Sequence, residues 1–392
     1  MEGNGQIRGS GPFSAPKKDD RDANYKSSHA PEPLLQLRRL ASAVMNFGFW
    51  NFYPAFNKNR MFTQSVQTQG HDWACTSRLL GRTLESMGHQ AATLDMKPLK
   101  WFDRVFFIDY PDYYVRRNPY FHALLRARHP DINLILAEPA VVRPGSYNPK
   151  LHKPFRRVLT YKKDLCATNP SKYVFYHPTC PPEPRMKPLP FDRRKLCCMI
   201  QAYMVSDNPA ELYSERVRAI RWFEANAPQD FDLFGTDWDR ILLPRRLSFL
   251  NFALRAVYHR VRLLDPVKFR RFPSFIGPNV KSLCQTLMDY RFSFAYETSV
   301  ENDWISEKLF DRLYAGCVPI YLGAPNVSDY IPAGAFIDKR NFSYEELYCY
   351  MSKMSEREYN GYLEAADAFL RSPALRPFTP EGYVEMFIKN FA

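Results

Sequence analysis

The chain has 392 residues, 45% of them hydrophobic and 24% charged, which suits two ordinary domains of about 150 residues each, with cores of their own. No run of about 18 apolar residues occurs, and the first thirty residues hold no apolar signal core, so neither a membrane-spanning helix nor a secretory leader is expected. The net charge of +13 favours acidic partners, and eight scattered cysteines in no metal spacing read as buried thiols of a reducing compartment.

Residues 1–55 read as a flexible or irregular extension: a polar Gly/Ser/Lys/Asp-rich tail, then an aromatic stretch in which no regular element can be placed. Apolar positions Leu79, Leu80, Leu84 and Met87, closed by Gly88, predict a helix over 75–87. A buried strand is expected over 104–110, a helix over 119–128 and a second buried strand over 132–137. The proline-rich run 176–190 marks a domain boundary. Beyond it a strand is expected over 196–204, and Asn208-Pro209 with Glu211 predicts a helix start. Strands follow over 231–234 and 292–296. A helix over 303–315 then ends at Gly316, and a strand over 318–322 completes a βαβ unit. Two helices, about 344–354 and 357–370, follow. Short apolar strands alternating with helices predict an α/β chain with parallel sheets.

Basic residues concentrate in 143–195 and 240–271, where nucleotide phosphates, anionic lipid or nucleic acid would each fit, as would a merely solvated face. The second stretch alternates basic and apolar groups as an interfacial helix does. Glycine-rich phosphate loops, metalloprotease and nucleophile-elbow motifs do not occur. Asp237-Trp238-Asp239 has an Asp-x-Asp form used for metals, but so short a motif is common by chance, and a surface loop is the expectation.

The informative segment is 290–326. Its first strand delivers Glu297 to a carboxyl edge, where open α/β sheets bind ligands. The helix expected to open near Asp303 offers free N–H groups to an anion, with Glu307 and Lys308 in its first turns. A carboxylate there suits ribose hydroxyls and an ammonium suits phosphate, although Glu307 offsetting the helix dipole beside a solvated Lys308 is an equal reading.

Tyr290-Arg291-Phe292, Ala295-Tyr296-Glu297-Thr298-Ser299, Asp303-Trp304-Ile305-Ser306-Glu307-Lys308-Leu309, Ala315-Gly316-Cys317-Val318-Pro319 and Gly323-Ala324-Pro325-Asn326 together resemble the donor-binding motif of glycosyltransferase family 10, the α-1,3/1,4-fucosyltransferases. Thr298 stands where that family has Asn, and Trp304 where it has Tyr. Upstream, Val205-Ser206-Asp207 and Arg216-Val217-Arg218 resemble the family's Val-Ser-Asn loop and Arg-Val-Arg helix, and Glu138-Pro139 resembles its Glu-Ser-Pro without the Ser.

The resemblance implies the GT-B fold, two facing Rossmann-like domains with a cleft between them: an acceptor side over 56–185 and a nucleotide-sugar side over 186–370, with 371–392 packing back on the first domain. It implies inverting transfer of fucose from GDP-fucose to a hydroxyl of a glycan acceptor, with no metal or other cofactor. Glu138, at the end of strand 132–137, is then the general base. Arg216, Glu297, Trp304, Glu307 and Lys308 bind the donor, with Ser206, Tyr296 and Thr298 as further donor contacts. A GDP-sugar and a glycan or glycoconjugate are the expected partners. Peripheral contact with an anionic membrane joins them, and nucleic acid does not. The competing expectation is a catalytically idle GT-B-like module that binds an anionic membrane surface or nucleic acid through its basic stretches. Placement is expected to be cytoplasmic and membrane-peripheral.

Overall fold

The structure, a computed structural model, describes residues 44–68, 71–112, 117–179, 189–239, 260, 271–278 and 282–392. Its strands are β1 (Asn46–Asn51), the antiparallel pair β2 (Gln67–Thr68) and β3 (His71–Asp72), β4 (Gln90–Thr93), β5 (Arg104–Ile108), β6 (Ile132–Ile135), β7 (Val158–Thr160) and β8 (Tyr173–Phe175). The later strands are β9 (Lys195–Ile200), β10 (Phe231–Phe234), β11 (Phe275–Gly277), β12 (Tyr290–Tyr296), β13 (Val318–Leu322) and β14 (Ile337–Asp338). Two six-stranded sheets result, ordered β4-β1-β5-β6-β7-β8 and β11-β10-β9-β12-β13-β14. Every neighbour pair in both is parallel. The second order is the doubly wound one, with its reversal between β9 and β12, and the first reverses between β1 and β5. Ligands of such sheets bind at the carboxyl edge beside the reversal.

The principal helices are α1 (Cys75–Ser86), α2 (Pro119–Arg126), α3 (Tyr213–Asn226), α4 (Glu307–Ala315), α5 (Tyr344–Lys353), α6 (Glu356–Arg371) and α7 (Pro380–Phe391). Local chemistry accounts for their ends. Asn118 accepts the Phe121 N–H to open α2, and Ser343 and Ser355 form capping boxes with Glu346 and Glu358 at α5 and α6. Gly316, at φ 64°, closes α4.

The sequence placed no element over residues 47–62, yet β1 lies there, in the middle of the first sheet and ahead of the expected boundary at 56. Its Phe-Gly-Phe-Trp run lacks alternation because both faces are covered, and Gly48 is small because a Cβ there would lie 2.7 Å from Leu94 and 2.8 Å from Phe102. Two helix starts also differ from expectation. Residues 208–212 do not open α3. They pair with 298–300 instead, with Leu212 N–H donating to Thr298 O (3.0 Å) and Val300 N–H to Ala210 O (2.8 Å). α4 opens at Glu307 and not at Asp303, whose left-handed backbone (φ 67°) is tied to Asn326 in both directions at 2.9 Å.

α7 crosses back to the first sheet. Phe387 is fully buried, its ring centroid 6.1 Å from Phe47, 6.1 Å from Phe49 and 4.9 Å from Phe106. Replacing Phe387 with Ala should cost about 3–5 kcal/mol, the usual penalty for emptying a buried aromatic site, and a denaturant midpoint reads it directly.

Many basic residues of 143–195 are engaged within the molecule. The Arg143 guanidinium lies 4.2 Å over Phe52, Arg156 pairs with Asp131 at 2.9 Å, and Lys162 pairs with Glu301 at 2.9 Å. Lys163 sits 4.5 Å over Tyr330, and Arg194 donates to Gly316 O at 2.7 Å. The 240–271 stretch lies outside the described residues except for Arg260 and Arg271, and so does 180–188 of the proline-rich run. Among the described residues no helix is long and apolar enough to cross a membrane.

Candidate active site

The carboxyl edges of the two sheets face each other, and their chemistry meets there. On the second sheet, beside the β9/β12 reversal, Gln201 Nε2 donates to Tyr296 O at 2.6 Å. Arg216, from the first turn of α3, donates to the carbonyls of Ala202 (3.3 Å), Tyr296 (3.0 Å) and Glu297 (2.9 Å). Burial pulls its guanidinium down to about 10, so it remains a cation at neutral pH. Arg216 therefore stands behind the strand ends and not in the open cleft, a fixed charge braced by backbone carbonyls. Its Nε has no hydrogen-bond partner among the described residues.

Glu297 does not line an open pocket either. Its side chain is fully buried and accepts the Ser306 N–H at 2.8 Å and the Ser306 hydroxyl at 2.7 Å, with Lys308 Nζ 3.9 Å away. Burial, opposed by Lys308, leaves its pKa above the ordinary carboxylate value. A carboxylate removed from water needs such partners, and the Ser306 turn supplies them. Gly323 is required beside it, since a Cβ there would lie 2.4 Å from Glu297 Cγ. Ser306 is thereby occupied and does not cap α4 with its side chain.

Lys308 Nζ donates to Ser306 Oγ and to Glu307 Oε1, each at 3.0 Å. Burial alone lowers an ammonium, but Glu307 and Glu297 outweigh it and the pKa is raised. The same pair acts on Glu307: burial pushes it up, Lys308 and then His71 pull it down further, and it stays ionised. Trp304 is nearly buried against Tyr161 at 4.8 Å, and its indole Nε1 and the Thr298 hydroxyl have no partner among the described residues. Two further expectations place differently. The Tyr296 ring is fully buried in the core under the sheet, so that only its carbonyl reaches the site, and Ser206 Oγ accepts the Asn208 N–H of its own turn at 3.2 Å.

On the first sheet, Glu138 follows β6 and is half-buried. Tyr147 OH donates to its carbonyl at 2.6 Å, and its N–H reaches Asp109 Oδ1 at 3.4 Å. Asp109 also accepts the Ala137 N–H at 3.1 Å. Glu138's carboxyl is raised by burial and by Glu307 across the cleft, against the pull of Lys308 and a hydrogen bond from Tyr53. A carboxylate of the first half is thus electrostatically coupled to the Glu307–Lys308 pair of the second.

Other bridges hold the two edges in place. His71 Nε2 meets Asp311 Oδ2 at 3.2 Å with both groups buried, Tyr161 OH donates to Glu301 at 2.8 Å, and the Lys163 N–H donates to Asp303 Oδ2 at 3.1 Å. Asp109, Tyr53 and the His71–Asp311 pair were not found by sequence reasoning; a lone His before a helix 240 positions away carries no local signal. Asp237 and Asp239 flank Trp238, which is buried with its indole N–H on Gln201 O at 2.6 Å, and no group of metal-binding side chains occurs among the described residues.

Residues 275–371 match the family model described as Glycosyltransferase family 10 (fucosyltransferase) C-term. This segment is similar to the carboxyl-terminal domain of family 10 fucosyltransferases. It contains β11 to β14, α4 and the Glu297, Trp304, Glu307 and Lys308 side chains. Sequence similarity concentrates in a short stretch. The chain is 39% identical over 88 residues to GDP-fucose protein O-fucosyltransferase 3 of Xenopus laevis, covering 22% of this chain and 18% of that protein. It is 40% identical over 68 residues to an alpha-(1,4)-fucosyltransferase of Arabidopsis thaliana, covering 17% of each. The matched stretch thus spans less than a fifth of these curated relatives. The fold likeness extends much further: a crystal structure of an alpha1,3-fucosyltransferase superposes with a TM-score of 0.51 at 13% identity, covering 89% of this chain and 90% of that one. The GT-B arrangement expected with the family 10 resemblance is the observed fold.

Proposed function

We propose that this protein is an inverting fucosyltransferase that moves fucose from GDP-fucose to a hydroxyl of a glycan or glycoconjugate. The observation that carries the reading is the match of residues 275–371, which hold Glu297, Trp304, Glu307 and Lys308, to the family 10 model, with Glu138 at the carboxyl edge of the other sheet. A diphosphate in the cleft takes Lys308 from Glu307, which is then free to accept ribose hydroxyls. Arg216 adds a fixed positive charge behind it, where charge develops as GDP leaves. The unpartnered Trp304 N–H and Thr298 hydroxyl supply donors to the sugar-nucleotide. Glu138 accepts the proton of the attacking acceptor hydroxyl, the new bond forms at the anomeric carbon, and the bond to GDP breaks on the opposite face.

The reading is tested by GDP release from a panel of GDP-sugars with oligosaccharide acceptors, with and without chelator. GDP-fucose should exceed GDP-mannose at least tenfold, and EDTA should leave the rate unchanged because side-chain cations neutralise the diphosphate. Equal use of both sugars removes the fucose assignment, and EDTA inhibition reversed by manganese overturns metal-free transfer and revives Asp237 and Asp239 as candidate ligands. The anionic-surface module is disfavoured because much of the 143–195 stretch is bound up in internal ion pairs and ring contacts.

A further inference from the structure

The loop after β1 stands at the reversal of the first sheet, beside Glu138, and none of the donor-side chemistry uses it. It is held rigidly. Asn51 is buried, its side-chain oxygen accepts the Tyr53 N–H at 2.9 Å, and its carbonyl accepts from Asn57 Nδ2 at 3.1 Å. Tyr53 then leads directly into the short 3₁₀ turn Pro54–Phe56. Phe52 lies 3.9 Å from the Tyr53 ring and carries the Arg143 guanidinium 4.2 Å from its own centroid. Arg143 belongs to the same turn as Glu138, its N–H donating to Pro139 O at 2.9 Å. Loop and base are therefore braced against each other.

Tyr53 combines two properties from this rigid seat. Its hydroxyl reaches Glu138 Oε1 at 3.5 Å, and 41% of the residue is exposed, which makes it one of the few large exposed apolar groups among the described residues. A ring with one wet face and one hydrogen-bonding end is suited to a sugar, which offers C–H faces and hydroxyls together. Resting on the fucosyltransferase reading above, we propose that Tyr53 is a positioning residue for Glu138 and the stacking platform for the acceptor sugar: its hydroxyl holds the carboxylate toward the attacking oxygen while its ring takes the acceptor's apolar face. Tyr53 keeps its own proton in this role, because burial and the adjacent Glu138 push the phenol up to about 12. It donates throughout the neutral range and takes no part in the proton transfer, which ends on Glu138.

Two variants separate the parts of the proposal, with GDP-fucose and acceptor kinetics measured over pH. Tyr53→Phe removes the hydroxyl and leaves the ring. The acid limb of the rate profile should move to higher pH, because a hydrogen bond that favours ionised Glu138 is gone. kcat should fall about tenfold, the scale of one hydrogen bond to a charged group, with acceptor KM little changed. Tyr53→Ala should in addition raise acceptor KM about tenfold and leave GDP-fucose KM alone, and melting temperature confirms folding in both. A Tyr53→Phe protein with wild-type kcat and acid limb overturns the positioning role. A Tyr53→Ala protein with wild-type acceptor KM, or with both KM values raised alike, overturns the platform. If wild-type protein transfers fucose to no acceptor, the fucosyltransferase reading itself fails and the proposal falls with it.

Discussion

Glu138→Gln should lower transfer by about a hundredfold or more while GDP binding stays near wild type, because the amide keeps the shape of the side chain but cannot take a proton. The proposed donor groups, Glu307 and Lys308, sit on the opposite edge, so calorimetric titration with GDP checks the second half of this expectation. The pH dependence follows from the raised carboxyl. Burial, and secondarily Glu307, favours protonated Glu138, so wild-type activity should decline as pH falls through a value above the ordinary carboxylate range. Residual activity of the Gln variant should lack that limb. The stability effect has a definite sign too. A carboxyl with a raised folded pKa stabilises the fold most below its unfolded pKa, and that contribution is lost as pH rises through the folded pKa. Near neutral pH, Gln removes a buried ionised group, and the melting temperature should be equal to or above wild type. A protein that melts lower yet turns over normally makes Glu138 a structural residue.

Lys308→Ala should weaken GDP binding by about 1.5–3 kcal/mol, the range of a charge-assisted hydrogen bond, which calorimetry reads as roughly a ten- to hundredfold rise in Kd. The same change strips Glu297 and Glu307 of their cation. Glu297 is already raised by burial, so it should protonate more readily in the variant, and the cost of the substitution should be greatest at alkaline pH, where both carboxyls are ionised. Unchanged GDP affinity would move the phosphate site away from α4.

The elements that could be read from sequence are those whose pattern is local. α1 with Gly88, α2, β5, β6 and the β12-α4-β13 unit all declare themselves through apolar spacing, with Gly88 and Gly316 as end signals. β1 escaped because a strand covered on both faces and carrying a glycine for close packing shows no period. The starts expected at Asn208 and Asp303 failed because each segment found a partner distant in the chain, 298–300 in one case and Asn326 in the other. The site divides in the same way. Motif and strand end together pointed to Glu138, Glu307 and Lys308, but sequence cannot say which way a strand-end side chain turns. Glu297 and Arg216 turn inward and Tyr296 points into the core. Asp109 and Tyr53 join the site only because the first sheet reverses beside them.

The return of α7 to the first sheet has a consequence for how the chain comes into being. Nascent chains tend to fold from the amino end, domain by domain. Here the Phe47, Phe49 and Phe106 face waits for a helix that leaves the ribosome after the whole second sheet. The first half by itself leaves that aromatic face without its helical cover. The 275–371 segment, although it holds the recognisable motif, is likewise no independent unit: β9 and β10 of its own sheet precede it. A shortened version built around the motif alone would lack the two strands that join β11 to β12 across its own sheet, so the two halves are best expressed and engineered together.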